Sequence, residues 1–141
     1  MILLDTPVLS ALMDRDPDRR LLDWFARNPA AWLHISTVTE AELLAAAAGL
    51  PDGLRQRTVA QIDAMVNEDF AGRVLPFDSA AARDLAVILA RAARGGQTLP
   101  MVAAQNAAIA RANGARLATL SPSPFEGMGV DLIDPLDQDP R

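Results

Sequence analysis

The sequence predicts an α/β fold: a short parallel sheet of about five strands enclosed between layers of helix. Three observations predict it. Short apolar runs alternate with segments of helical length along the 141 residues, the pattern of repeated strand–helix units. The strand-like runs are continuous rather than alternating, which suits strands covered on both faces. Gly, Pro, Ser, Thr and Asp punctuate nearly every change of type.

Taken in order, Met1 to Leu4 is the first strand, four apolar residues without a polar break. Pro7 fits the first turn of a helix, where its missing N–H does no harm, and that helix reaches about Met13. Asp14 to Asp18 is a polar break. A second helix carries Leu21, Leu22, Trp24 and Phe25 and stops near Asn28-Pro29. Trp32 to Ile35 is the second strand. Thr37 and Glu40 have the spacing of a capping box and start a helix that runs through an alanine tract to Gly49. Pro51-Asp52-Gly53 reads as a turn. Val59, Ile62, Met65 and Val66 give amphipathic spacing to a helix from about Leu54 to Phe70. Arg73 to Pro76 is the third strand. Asp78 caps a helix from Ser79 to about Arg94, stopped by Gly95-Gly96, and Pro100 opens another that reaches Asn113-Gly114. Ala115 to Thr119 and Val130 to Ile133 complete the strands. Residues 1–134 form one domain, and 135–141 an acidic tail expected to fray.

Composition narrows the function classes. Half the residues are apolar, which argues against disorder. There is no cysteine, hence no disulfide or thiolate chemistry, and a cytoplasmic location is expected. No leader peptide and no membrane span are expected. The net charge of −5 excludes a strongly basic nucleic-acid grip, although Arg15, Arg19 and Arg20 could meet phosphate locally. Aromatic residues make up 4%, too few for a base-stacking platform; Trp24, Phe25 and Trp32 are expected in packing. His34 reads as a strand-edge side chain, and no phosphate-loop motif is present.

Two acids carry the candidate chemistry. Asp5 ends the first strand, and ligands in parallel sheets bind at the carboxyl ends of strands. It is either a metal-ligand carboxylate or the N-cap of the helix opening at Pro7. Glu42 lies about 200° around the helix from Glu40, so the two acids serve different faces. Alone, Glu42 reads as a solvated helix charge rather than a ligand.

The arrangement is more telling than either acid. Met1-Ile2-Leu3-Leu4-Asp5-Thr6 followed by Ile35-Ser36-Thr37-Val38-Thr39-Glu40-Ala41-Glu42 resembles the PIN-domain family, in particular the VapC-type toxins and their FitB-like branch. Glu68 to Asp78, Ala104 to Ala115, Leu117-Ala118-Thr119 and Phe125 to Gly129 extend the resemblance over nearly the whole chain. It implies a PIN-like three-layer α/β/α fold and a metal-dependent endoribonuclease. Such an enzyme gathers three or four acids around Mg²⁺ or Mn²⁺ and cuts a phosphodiester with activated water. It also implies a homodimer bound by a cognate VapB-like antitoxin, with RNA as the other partner and no membrane. On this basis Asp5 and Glu42 are the candidate metal-ligating and catalytic residues.

The departures all lie at that site. Ala103 stands where the family carries a third acid, Pro7 where it carries Asn, and Ser121 and Pro124 where it carries further polar or acidic residues. The expectation is therefore a copy that is impaired or inactive as a nuclease, with a weakened or lost metal, that keeps antitoxin or RNA binding. The alternative is an active ribonuclease with a rewired site on Asp5 and Glu42. Asn106, one helical turn beyond Ala103, or the hydroxyl of Ser121 could then compensate.

Overall fold

Leu3 and Leu4 are fully buried, yet they feed different cores. Successive side chains on a strand point to opposite faces. Leu4 joins Ile2, Val8, Leu21, Trp24, Ile35 and Ile62 on one face, whereas Leu3 joins Ile88, Ile109, Leu117 and Phe125 on the other. A strand buried on both faces must sit inside a sheet with helices on each side. The computed structural model, which describes residues 1–137, has that architecture.

The strands are β1 (Ile2–Leu4), β2 (Leu33–Ser36), β3 (Val74–Leu75), β4 (Arg116–Ala118) and β5 (Leu132–Ile133). The helices are α1 (Thr6–Leu12), α2 (Arg19–Arg27), α3 (Thr37–Ala48), α4 (Asp52–Ala64), α5 (Ser79–Arg94) and α6 (Met101–Ala112). All strand pairs are parallel, in the order β3-β2-β1-β4-β5. The chain builds outward from β1 to β3, then returns to place β4 against the other edge of β1. The reversal of strand order falls between β1 and β4, the place where open parallel sheets form a binding crevice. Residues of α1 to α4 fill the core on one face; α5 and α6, which pack closely together, cover the other.

Several local expectations are corrected. The N-cap of α3 is Ser36, whose hydroxyl accepts from Thr39 N at 3.0 Å, rather than Thr37. The Thr37 hydroxyl instead accepts from Phe77 N. Pro51-Asp52-Gly53 is not a separate turn: Pro51 is the N-cap of α4, and Arg55 N already donates to Pro51 O at 2.7 Å. The long helix expected to reach Phe70 changes character at Met65–Asp69, which is a π-helical turn. There Phe70 N donates to Met65 O, five residues back. The widened turn buries both Met65 and Phe70, which an unbroken α-helix would separate on its surface.

Of the aromatic residues expected in core or interface packing, Trp32 is 55% exposed and outside the core, whereas Trp24 is buried with Phe25 edge-on to it. His34 lies on β2, between β1 and β3, so it is not on a sheet edge; its Nδ1 approaches Trp32 O. A short 3₁₀ turn at Ser123–Phe125 breaks the Ser/Pro loop and buries Phe125. At the C-terminus Pro135 is buried and Leu136 packs on the core, so the docked region runs past 134. Residues 138–141 of the acidic tail lie outside the described residues.

Candidate functional site

The register of the sheet assembles the site. Leu3 pairs with His34 and Leu4 with Ala118. The residues that follow, Asp5, Ser36 and Thr119, therefore emerge at one level at the carboxyl ends of β1, β2 and β4. The Asp5 N–H continues the ladder to Ala118 O at 2.9 Å.

Asp5 occupies the N-cap position of α1, but its carboxylate makes no capping hydrogen bond. It turns inward instead and is 7% exposed. Oδ2 accepts from the Thr119 hydroxyl at 2.9 Å, and Oδ1 from the Asn106 side-chain amide at 3.4 Å. The structure thereby separates the two readings of Asp5: it is a cleft carboxylate, not a helix cap. Burial raises its pKa above the ordinary carboxylate value, and the negative charge of Glu42 adds to that. Hydrogen bonds from Thr119, the Thr6 backbone and Asn106 work in the other direction.

Glu42 reaches the same cluster from α3. Its Oε1 accepts from the Thr6 hydroxyl at 2.5 Å. Thr39, one turn earlier on the same face of α3, is fully buried and meets Thr6 at 3.0 Å. Thr6 is the first residue of α1, so the tie between Thr6, Thr39 and Glu42 fixes α1 against α3 beside Asp5.

Asn106 stands at the centre of this cluster. It is fully buried within α6. Its amide nitrogen also reaches Thr39 Oγ1 at 3.3 Å, and its carbonyl oxygen accepts from the Ser36 hydroxyl at 2.6 Å. Ala103, one turn earlier, is half-buried and brings no polar atom. Ser121 is exposed; its backbone, not its hydroxyl, touches the cluster, through Ser121 N to Thr119 Oγ1 at 3.1 Å. Pro124 belongs to the 3₁₀ turn. Sequence reasoning missed Thr119 and Ser36, because the parallel register that sets each of them level with Asp5 is a property of the sheet and not of either segment.

The cluster does not fit a divalent ion held by the three or four acids the resemblance implied. Among the described residues no three His, Cys, Asp or Glu side chains are grouped as a metal site. The two acids present already accept from neutral donors, and no described buried side-chain N or O lacks a partner. The arrangement can hold two carboxylates together at a sheet end and can offer them to one side of the cleft through Glu42, which is only half-buried.

Two other features lie away from the acids. Arg20 is not free for phosphate: it pairs with Asp18 at 2.8 Å, and this holds the Asp18 carboxyl below its ordinary range. A largely apolar pocket of about 370 Å³ is lined by Leu12, Met13, Phe25, Leu33, Met65 and Phe70. Leu33 opens β2 and Arg73, also in the wall, precedes β3, so this pocket sits at the amino ends of the strands, opposite the acids. Arg73 shapes its rim by donating to the carbonyls of Ala30, Leu33 and Asp69. Of the apolar residues on α1 and α2, Leu9 and Leu21 are core, whereas Leu12 and Phe25 reach the pocket.

The PIN-domain model matches residues 2–121. The chain is 41% identical to the VapC ribonuclease Y4jK of Sinorhizobium fredii, over 96% of this chain and 97% of that protein. It is 39% identical to the plasmid stability protein StbB of Pseudomonas syringae pv. tomato, over 96% and 98% of the two chains. Among solved structures, FitAcB from Neisseria gonorrhoeae superposes with a TM-score of 0.83 at 28% identity, covering 96% of this chain and 98% of the other.

Proposed function

The chain belongs to the PIN-domain family, and from that premise we propose that it is the VapC-like toxin component of a toxin–antitoxin module, bound by a VapB-like antitoxin and impaired as a ribonuclease. The observation that carries the impairment is the make-up of the cleft. Asp5 and Glu42 share one hydrogen-bonded cluster, but Ala103, Ser121 and Pro124 add no charge to it. Mg²⁺ demands near-ideal octahedral oxygen geometry and gives up its water reluctantly. Two carboxylates, one of them buried and already accepting from Thr119 and Asn106, offer it little, and any Mg²⁺ or Mn²⁺ is held weakly. Losing even one group that stabilises charge in a transition state can cost on the order of 10²–10³ in rate.

Partner binding needs none of these acids. The apolar pocket beside α1, α2 and α4 suits the apolar side chains of an antitoxin segment, and its distance from the acids lets binding survive their loss. We place the protein in the cytoplasm as a homodimer that retains affinity for antitoxin and binds RNA without efficient cleavage. A second reading, an active nuclease built on Asp5 and Glu42, is favoured by one observation: both acids do converge.

Calorimetric titration with Mn²⁺ and Mg²⁺ tests the proposal, on the native chain and on Asp5→Ala and Ala103→Asp. The expected result is little or no binding by the native chain and binding gained in Ala103→Asp. Native binding that disappears in Asp5→Ala, together with metal-dependent cleavage of RNA, would overturn it in favour of the second reading. For the partner, Met13→Asp should weaken antitoxin binding at least tenfold, with affinity unaffected by chelator or by Asp5→Ala.

A further inference from the structure

The hydrogen atoms of the cleft can be assigned from its chemistry. Ionised carboxylates only accept. Thr6 has one hydroxyl proton, and its 2.5 Å contact with Glu42 takes it. Thr39 is therefore the donor in the 3.0 Å Thr39–Thr6 bond. Thr39 Oγ1 in turn accepts from Asn106 Nδ2. The second Nδ2 proton of Asn106 points to Asp5, whose other oxygen is taken by Thr119. The carbonyl oxygen of Asn106 must then face Ser36, whose proton is free to donate because its lone pair takes Thr39 N. One amide thus feeds both acids: Asp5 directly, and Glu42 through two threonine hydroxyls.

We propose that the Asn106 carboxamide is the positioning group of this cleft, holding Asp5 and Glu42 together with neutral hydrogen-bond donors in the place where a bound cation would otherwise hold them. Three observations support it. Asn106 is fully buried beside the buried Ala104, Ala107 and Ala110 of α6, where an amide without a purpose would be costly. Both ends of its side chain are used, toward three residues in two other segments: Asp5 after β1, and Ser36 and Thr39 at the start of α3. Its nitrogen stands 3.4 Å from Asp5 Oδ1. Neighbouring oxygens around a divalent ion in octahedral geometry are separated by about 3 Å, so an acid at this position would stand near ligand spacing. The amide supplies protons where such an acid would need a metal. This goes beyond the reading of the chain as an impaired toxin and does not depend on it.

The test is thermal melting of the full-length protein in chelator and in millimolar Mn²⁺, for the native chain, Asn106→Leu, Asn106→Asp and Thr39→Val. The native melting temperature should be the same in both solutions. Asn106→Leu should fall by roughly 10 °C in both, the scale expected when several buried polar groups lose a partner in a chain of this size. Asn106→Asp should fall at least as far in chelator and recover half or more of the loss in Mn²⁺, a linkage that a merely structural asparagine would not create. Thr39→Val keeps the amide but cuts its path to Glu42; it should lose a few degrees and remain indifferent to Mn²⁺.

The proposal is overturned if the native chain is stabilised by Mn²⁺ as strongly as Asn106→Asp is. It is also overturned if Asn106→Leu melts like the native chain, or if Asn106→Asp gains nothing from Mn²⁺. Melting is read and cleavage is not. A native chain that cleaves RNA yet melts independently of Mn²⁺ would overturn the impaired-nuclease reading and leave Asn106 in this role.

Discussion

Burial works against the charged form of Asp5, and its neighbours can be ranked by what they donate. The Thr119 hydroxyl is the shorter of its two side-chain bonds, 2.9 Å against 3.4 Å from Asn106. Thr119→Val preserves shape and removes that donor, so it should cost about 1.5–3 kcal/mol, the range for a hydrogen bond to a charged group, read by urea unfolding. The pH dependence has a definite sign. The folded-state pKa of Asp5 is raised, so between its ordinary value of 3.8 and the raised one the folded chain binds more protons than the unfolded chain. Stability from this group is fully present below 3.8 and is lost as pH rises through that window. The stability of the native chain relative to Asp5→Asn should therefore fall as pH rises above 3.8. A gap that widens in favour of the native chain would contradict the raised value. Asp5 and Glu42 were visible in the sequence as acids at a strand end and on a helix. Asn106 was visible as a candidate one turn beyond Ala103, but Thr119 was not, and the contacts both make with Asp5, across 101 and 114 residues, come only from packing.

At the scale of elements, the caps carry different weight according to what lies behind them. Asp78 caps α5 from an exposed position by accepting from Ala81 N at 3.0 Å. Asp78→Ala should cost about 1 kcal/mol. Ser36 does the same for α3, but it is fully buried and also donates to Asn106. Ser36→Ala should cost about 2–3 kcal/mol, cap and buried bond together, and equal costs in parallel urea titrations would refute the double role. The boundaries of the elements were legible to within a few residues, since they follow from apolar runs, Pro and Gly. The π-turn at Met65–Asp69 was not, because it answers to the core that Met65 and Phe70 enter rather than to any local signal.

For the molecule as a whole, β1 couples the two layers. Leu3 faces the core under α5 and α6, whereas Leu4 faces the core that holds Trp24. Leu3→Ala should cost about 2–5 kcal/mol. The consequence is cooperative: although Leu3 lies across the sheet from Trp24, its loss should shift the tryptophan fluorescence transition and the far-ultraviolet circular dichroism transition equally. Separate shifts would mean that the layers unfold independently. The same sheet places the acid cluster and the apolar pocket at opposite ends of its strands, and the proposed separation of partner binding from cleavage rests on that distance.

The sequence by itself determined the class of fold, the alternation of strands and helices, the resemblance that pointed to the family, and the uncharged residues at Ala103, Ser121 and Pro124. These are local properties, or patterns carried along the chain. Only the tertiary structure decided that Asp5 is a cleft carboxylate and not a cap, that Glu42 faces the same cluster, and that Asn106 joins them. Strand order and register fix those contacts, and both arise from burying two faces of one sheet at once rather than from any segment taken alone.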